Sequence, residues 1–325
     1  MFSLDGKSLY VRELDLWIDS MRSRDRCYVS HGHADHAREH DVVVATPNTA
    51  RICRTRFKRK SRRACSFEEH AFNEPWDVGD ACLTLFSAGH VLGSSQLLIE
   101  GERGRFVYTG DFKLASSLTA EPTEVKRCDV LLMECTFGQP HYVFPPRDEV
   151  AAEMTSFARD TLDRGAIPLF YAYSLGKAQE AMALLGGAGI PLVVHPTIAT
   201  MAQTYADCGV VLPAHRAYDQ QTFAGDAAVI WPPSARALPW VAGRRVRDAV
   251  LTGWAMDRSA RYRYGATRAF ALSDHADYPS LLRYIEMAQP TKVLLMHGRR
   301  DFTDRLRRLG IDAEYLEEHA QLALL

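Results

Sequence analysis

Four potential metal ligands crowd into one short loop of this chain. The segment VSHGHADHA places His31, His33, Asp35 and His36 directly after the strand-like DRCYVS and ahead of a helix-like stretch. Few structural roles need imidazole and carboxylate at that density. Together they suit zinc or manganese, and the lack of neighbouring thiols argues against a purely structural zinc site. Further candidates recur at the ends of strand-like segments, where a layered α/β sheet presents its functional loops. They are His90 in AGHVLGSSQ, Asp111 in YTGDF, Glu134 in LLMECTFG, His275 in LSDHAD and His297 in LLMHG. Each alone is a weak signal, but in chain order after HGHADH they form a pattern that random placement rarely produces.

The elements that must position these residues read as a layered α/β protein. The first third is a series of short β-branched and aromatic runs, SLYVREL, DRCYVSH, VVVATP, CLTLFSAG, SQLLIEG and RFVYTGD, separated by turns. From Pro145 the texture changes. DEVAAEMTSFARDTLDRG has helical spacing of its apolar positions and is followed by the strand-like IPLFYAY; helix and strand then alternate through YSLGKAQEAMALLGGAG, IPLVVHP and TIATMAQTYADCG. A mixed stretch from about Ala224 to Thr267 contains the strand-like AAVIWPP and DAVLTGW together with basic and aromatic residues. ALSDHADYPSLLRYIEMAQPTKVLLMHG then restores a loop, helix and strand order that looks like the first domain resuming. One α/β domain interrupted by a second α/β unit is the expected organisation.

Composition sets the limits. The 325 residues exceed the size at which one core usually stops growing. With 47% hydrophobic and 24% charged residues the chain is an ordinary globular one, and its net charge of −1 means that any polyanion must be met locally. The seven cysteines are scattered, without a CxxC pair, and read as reduced thiols. The N-terminal MFSLDGKSLYVRELDLWID has acidic residues where a signal peptide needs an apolar core, and no segment approaches ~18 consecutive apolar residues. A cytoplasmic protein without a membrane partner is expected.

On LWID, SHGHADHA, AGHVLGSSQ, TGDF, ECTFG, YSLGKAQ, SDHAD and MHGRRD, the chain resembles the metallo-β-lactamase superfamily, and within it the nucleic-acid-processing branch with an inserted β-CASP cassette. It is more similar to the bacterial DNA-ligase-associated exonucleases than to the Artemis-type nucleases, ribonuclease J or the mRNA 3′-end cleavage endonuclease. The resemblance implies an αββα sandwich over residues 1–144 and 268–325, interrupted by a compact β-CASP α/β domain over residues 145–267. It implies two divalent ions, Zn or Mn. His31, His33 and His90 would hold one, Asp35, His36 and His297 the other, and Asp111 would bridge them. Asp19, in LWIDS, would orient a ligand histidine. Glu134 and His275 would sit together beside the metals and help the leaving oxygen depart; the residues alone do not rank His275 and His297 as acid or ligand. Two such ions lower the pKa of a shared water and clamp the attacking and leaving oxygens of an in-line displacement. Asp35, Asp111, Glu134 and His275 would therefore be the catalytic group.

A metal cage alone does not name a substrate. In YAYSLGKAQE, Tyr173, Ser174 and Gly176 lie where a strand meets a helix N-terminus and Lys177 opens that helix, the chemistry of a phosphate site. Ser94 and Ser95 in HVLGSS, and Gly253 with Trp254 in LTGWA, are further places where a hydroxyl or the backbone could approach a phosphate; Trp254 equally suits core packing. The basic run RTRFKRKSRR, Arg54 to Arg63, could track a phosphate backbone or simply be a solvated helix face, and Arg299 and Arg300 adjoin His297. The resemblance implies a DNA exonuclease of repair that prefers single-stranded 5′ ends and associates with an ATP-dependent DNA ligase and a helicase. The alternatives are a β-CASP ribonuclease, a small-molecule thioester or lactam hydrolase, and a non-catalytic nucleic-acid-binding protein.

Overall fold

The structure, a computed structural model, describes residues 2–5, 8–57, 65–235, 243–316 and 321–322. They form two compact units, Met1–Pro140 with His275–Leu325, and His141–Asp274.

The first unit is built on two seven-stranded sheets. One runs β1 (Phe2–Asp5), β2 (Ser8–Val11), β3 (Leu16–Ile18), β4 (Arg26–Tyr28), β5 (Val42–Ala45) and β6 (Ser66–Glu69), with β20 (Gln321–Leu322) added beside β1. The other runs β7 (Trp76–Val78), β8 (Ala81–Ser87), β9 (Ser95–Gly101), β10 (Gly104–Tyr108) and β11 (Val130–Glu134), then β18 (Lys292–Met296) and β19 (Ala313–Tyr315). Because strand side chains alternate between faces, each sheet carries two apolar surfaces. Leu9, Leu16, Ile18, Tyr28 and Val44 of the first sheet meet Leu83, Leu85, Leu97, Tyr108, Leu132 and Leu294 of the second in a shared core. The intervening residues Leu98, Val107, Leu131, Met133, Val293 and Leu295 face outward onto Leu281, Tyr284, Ile285, Phe302 and Leu306 of α6 (Tyr278–Ala288) and α7 (Asp301–Arg308). The outer face of the first sheet, with Val43 and Ala45, is covered by Cys53 of α1 (Pro47–Arg56). The result is the four-layered αββα sandwich expected. α1 begins where it does because Pro47 supplies a preset φ and the Thr46 hydroxyl accepts the Thr49 N–H at 3.2 Å.

The second unit carries one six-stranded, all-parallel sheet in the order β14 (Arg216–Ala217), β13 (Leu192–Val194), β15 (Ala228–Trp231), β12 (Ile167–Tyr171), β16 (Val246–Leu251) and β17 (Arg268–Phe270). Burial on both faces explains why β12, β13 and β15 read as near-continuous apolar runs. Phe170, Val194, Ile230 and Leu251 pack under α2 (Arg147–Asp163), α3 (Lys177–Gly187) and α4 (Pro196–Asp207). Ile167, Leu169, Val193 and Val229 form the opposite core with Phe223 and Trp231. Among the described residues, no helix is long and apolar enough to cross a membrane.

One buried histidine ties folding to pH. His40 is 1% exposed, its Nδ1 accepts the Arg24 N–H at 3.1 Å, and its Nε2 has no hydrogen-bond partner among the described residues. Burial therefore favours the neutral ring and lowers its pKa from 6.5 to about 4. The unfolded chain, with the ring at its ordinary value, binds more protons below pH 6.5. The His40 contribution to stability is complete above that pH and is lost as pH falls toward about 4, by on the order of 2 kcal/mol. Denaturant unfolding of the wild type and His40→Gln at pH 7.5 and 4.5 checks this. The variant should show a smaller acid loss than the wild type, and equal losses would refute it.

Candidate metal centre

The site of the first unit is assembled at the ends of β3, β4, β10, β11 and β18, and its centre is Asp111. The Asp111 carboxylate lies just past β10, and its Oδ2 stands 3.7 Å from His31 Nε2, 3.5 Å from His36 Nε2, 3.8 Å from His90 Nε2 and 3.9 Å from His275 Nε2. Most of these separations are too long for hydrogen bonds. They match donors that share a cation instead, because two ligands about 2.1 Å from a tetrahedral ion lie roughly 3.4 Å apart. Ligand atoms of His31, His33, His90 and Asp111 all fall within 4.8 Å of one another, as do those of Asp111, Glu134 and His275.

Electrostatics support the same reading. His31 is fully buried, its Nε2 has no hydrogen-bond partner among the described residues, and burial together with His36 and His90 holds its pKa well below 6.5. A neutral imidazole with an unused buried lone pair is a ligand in waiting. Burial pushes the Asp111 carboxyl up to about 6, with Glu134 and Asp35 adding to the rise and His36 and His275 opposing it. A cation among these groups would offset that cost. The residues present thus fit a divalent ion.

Asp19 orients two of these histidines from behind. It sits immediately after β3 with φ of 45°, a left-handed conformation that aspartate tolerates better than most residues. Its carboxylate accepts the Ser30 N–H at 2.7 Å, the Ser30 hydroxyl at 2.6 Å and the Tyr108 hydroxyl at 2.7 Å, and its Oδ2 lies 2.8 Å from His36 Nδ1. Burial alone would raise this carboxyl, but His36 and these hydrogen bonds hold it below its ordinary value. Burial likewise opposes charge on His36, yet Asp111 and Asp19 outweigh it and lift that imidazole to about 9. The Ser30 hydroxyl continues the chain, 3.0 Å from His31 Nδ1, so one carboxylate fixes the orientation of both rings.

Glu134 closes β11 as a buried carboxylate. It accepts the Phe112 N–H at 2.9 Å and the Thr136 hydroxyl, and both its oxygens lie 2.9 Å from His275 Nδ1. Burial raises this carboxyl, and His275 more than compensates by lowering it. With Nδ1–H directed at Glu134, the Nε2 of His275 faces Asp111. His297 follows β18 at φ 53°, its ring 5.3 Å from that of His36, and its carbonyl oxygen lies 3.0 Å from the Thr136 hydroxyl. Gly298 must be glycine here, since a Cβ would lie 2.1 Å from the Cys135 carbonyl oxygen. Asp35, exposed on the turn that joins His33 to His36, is held low by those two histidines despite its partial burial. Asp35, His36 and His297 do not close on one another as tightly as the first set, although His36 reaches Asp111.

The residues expected to touch phosphate occupy several different settings. Ser94 and Ser95 are buried. The Ser94 hydroxyl accepts the His90 and Val91 N–H groups at 3.1 Å, and the Ser95 hydroxyl lies 2.8 Å from the Tyr28 hydroxyl and 3.3 Å from the Ser30 carbonyl oxygen. Their side chains brace the loops that carry His90 and His31. In the second unit, the Gly176 N–H that would open α3 to an anion is taken by Gln179 Oε1 at 2.8 Å, and the Gln179 amide donates back to the Ser174 carbonyl. Lys177 is 7% exposed and pairs with Asp274 at 2.9 Å beneath the exposed ring of Tyr173. Ser174 Oγ, 3.2 Å from Thr197 Oγ1, is exposed, whereas Gly253 is buried in a 3-10 turn. Arg54 pairs with Glu69 and caps the Phe67 ring; residues 58–63 of the basic run lie outside the described residues. The hub role of Ser30 and Tyr108 had no signature in the sequence, since each is an unremarked residue of a strand or its end.

A model of the β-lactamase superfamily domain matches residues 17–195, over half of the chain. The chain belongs to the β-lactamase superfamily. A second model, of the Zn-dependent metallo-hydrolase RNA specificity domain, matches residues 265–321. With the inserted α/β unit this puts the chain in the β-CASP branch of the superfamily, as a metallo-hydrolase. It is 39% identical over 324 residues to a probable DNA ligase of Opitutus terrae, covering 97% of this chain and 31% of that protein. It is 39% identical over 110 residues to the transcription termination factor FttA of a Lokiarchaeum species, covering 33% of this chain and 17% of the relative. It is 27% identical over 133 residues to RNase aCSPSF2 of Saccharolobus solfataricus, covering 40% of this chain and 27% of the relative. The chain thus spans under a third of the length of these relatives. A solved structure of a protein of unknown function from Enterococcus faecalis shares the fold, with a TM-score of 0.66, 12% identity and 99% coverage of both chains.

Proposed function

We propose that the chain is a two-metal-dependent DNA exonuclease that hydrolyses phosphodiester bonds of single-stranded DNA from the 5′ end, in repair, beside an ATP-dependent ligase and a helicase. The observation that carries the reading is the Asp111 carboxylate surrounded by four imidazoles, with the His275–Glu134 pair against it. His31, His33 and His90 would hold one ion, Asp35, His36 and His297 a second, and Asp111 would reach both. When bound, Zn or Mn would supply an activated water and neutralise charge on the phosphate. His275 would hold a proton at Nε2 for the departing 3′ oxygen, while Glu134 fixes its tautomer and keeps the ring basic enough to carry that proton. The likeness, over 97% of this chain and 31% of the relative, to a protein named as a probable DNA ligase supports a DNA substrate and a ligase partner. We infer that the inserted unit gives polymer specificity, since a small ester or lactam would not need it.

The second reading is a ribonuclease, favoured by the RNA specificity match at residues 265–321 and by the likeness to RNase aCSPSF2. Digestion of 5′- and 3′-labelled single-stranded DNA and of matched RNA, with manganese or zinc, separates them. Stepwise loss of DNA from the 5′ end supports the first reading, preference for RNA the second, and no cleavage of either polymer would sink both. In the same assay His275→Gln should lower the rate by roughly 10²- to 10⁴-fold and remove the alkaline limb of the pH profile that its acid form imposes. An unchanged rate and profile would exclude the acid role.

A further inference from the structure

We propose that the helix α5 (Ala260–Tyr264) and its flanks form a stacking platform that binds single-stranded nucleic acid through base faces and phosphates together. The inference rests on the nuclease reading and adds to it a substrate surface within the second unit. From Arg258 to Arg268 the sequence RSARYRYGATR holds four arginines and two tyrosines and no aspartate or glutamate, in a chain whose net charge is −1. That local excess of positive charge is what a polyanion needs from a chain that is otherwise neutral.

The structure shows how the segment displays these residues. Ala260 is buried and anchors the short helix, and Gly265 ends it at φ 62°, so Arg261, Tyr262 and Arg263 point to solvent. Tyr262 is 72% exposed, the largest exposure of any aromatic side chain given for the described residues. The Arg261 guanidinium stands 4.6 Å from the centroid of that ring and donates to its hydroxyl at 2.5 Å, which holds a flat cation beside a flat aromatic. Arg263 lies 5.8 Å from the Trp254 ring and 3.4 Å from Asp257, a carboxylate that also accepts the Tyr142 hydroxyl and faces His141 Nε2 at 3.2 Å. Arg268 is 3.8 Å from Glu153. Among the described residues, no carboxylate lies within ion-pairing distance of Arg258 or Arg261. The Arg261 charge therefore stands uncompensated beside the exposed ring, and Arg258 is exposed four residues before it in the chain.

A lone surface tyrosine needs no explanation. A ring with a guanidinium at 4.6 Å from its centroid and two uncompensated arginines within four residues matches the chemistry by which proteins grip unpaired strands: aromatic faces for bases, arginines for phosphates and cation–π contacts. A duplex, whose base faces are already stacked, would gain only the phosphate part.

The test is fluorescence anisotropy of the full chain in an Asp111→Ala background with manganese, using labelled oligothymidylate, matched oligouridylate and a duplex across a salt series. Tyr262→Ala is expected to weaken binding of the single strands about tenfold and Tyr262→Phe to leave it intact. Arg258→Gln with Arg261→Gln should reduce the salt slope by roughly one to two. The oligothymidylate and oligouridylate arms show which polymer uses the platform. Hydrolysis of bis(4-nitrophenyl) phosphate by the enzyme with intact Asp111 should not change in Tyr262→Ala, because a single phosphodiester offers no strand for the platform to hold. Equal strand affinity of Tyr262→Ala and its parent would overturn the proposal, as would equal loss on the duplex. Tyr262-dependent strand binding by an enzyme that cleaves no phosphodiester would uphold the platform and reject the nuclease reading alone.

Discussion

Asp111→Ala is expected to lower metal-dependent phosphodiester hydrolysis by ~10³-fold or more if Asp111 is the shared ligand proposed, because losing it would forfeit several kcal/mol of stabilisation and each 1.4 kcal/mol is a factor of ten. The effect should be large because four imidazole nitrogens converge on this one oxygen, at 3.5 to 3.9 Å. Stability should move the other way. A buried carboxyl pushed up to about 6 destabilises the metal-free fold whenever it is ionised, so in chelator above pH 6 the variant should unfold at the same denaturant concentration as the wild type or a higher one. Bound metal measured by mass spectrometry, the hydrolysis rate and a urea midpoint in chelator are the three readouts. Retained hydrolysis with retained metal would remove Asp111 from the centre. A lowered midpoint in chelator would mean that its role is structural.

For Asp19→Ala the expected loss lies in the fold and in metal affinity at once. The substitution strips the acceptor from the Ser30 N–H, the Ser30 and Tyr108 hydroxyls and His36 Nδ1, in a site where Asp19 is 5% exposed. Leaving several buried donors unpaired costs on the order of 3 kcal/mol or more, well above the effect of an ordinary surface change. The released rings of His31 and His36 should also cost roughly 10- to 100-fold in metal affinity. Denaturant unfolding and a competition titration against a chelator measure the two separately. Asp19→Asn should recover only part of either loss, because a carboxamide keeps one acceptor oxygen but brings a donor toward donors. If both variants matched the wild type in midpoint and affinity, the hub would be no more than a turn.

The chemistry was legible in the sequence because it depends on residue identity and local spacing. HGHADH, GHVLGSSQ, TGDF, ECTFG and SDHAD each lie within a few residues of a strand end, and strand ends can be read from alternation of apolar residues. The sandwich was legible for the same reason: Leu131 and Met133 face one layer and Leu132 the other, a period of two that survives any detail of packing. The Glu134–His275 pair is different, joining a strand end to the loop before α6 across 141 positions. Only the family likeness suggested it.

Hydrogen-bond direction was beyond the sequence. Ser94, Ser95 and the opening of α3 carry the residue types of a phosphate site, yet the Ser94 hydroxyl holds two N–H groups of its own loop, and Gln179 caps the helix that Lys177 begins. A hydroxyl or a helix N-terminus is the same in sequence whether its partner is a phosphate or a neighbour, and the partner is chosen by tertiary packing. The same holds for α5. Its arginines and tyrosines are visible as letters, but that Ala260 turns inward, and Tyr262 with Arg261 turns outward, is a property of the folded second unit. Sequence thus determined which groups could bind metal and roughly where the chain would present them, because ligand chemistry and strand periodicity are local. Tertiary structure decided which of the polar groups face one another inside, and which are left to meet a substrate, because that depends on distances between residues far apart in the chain.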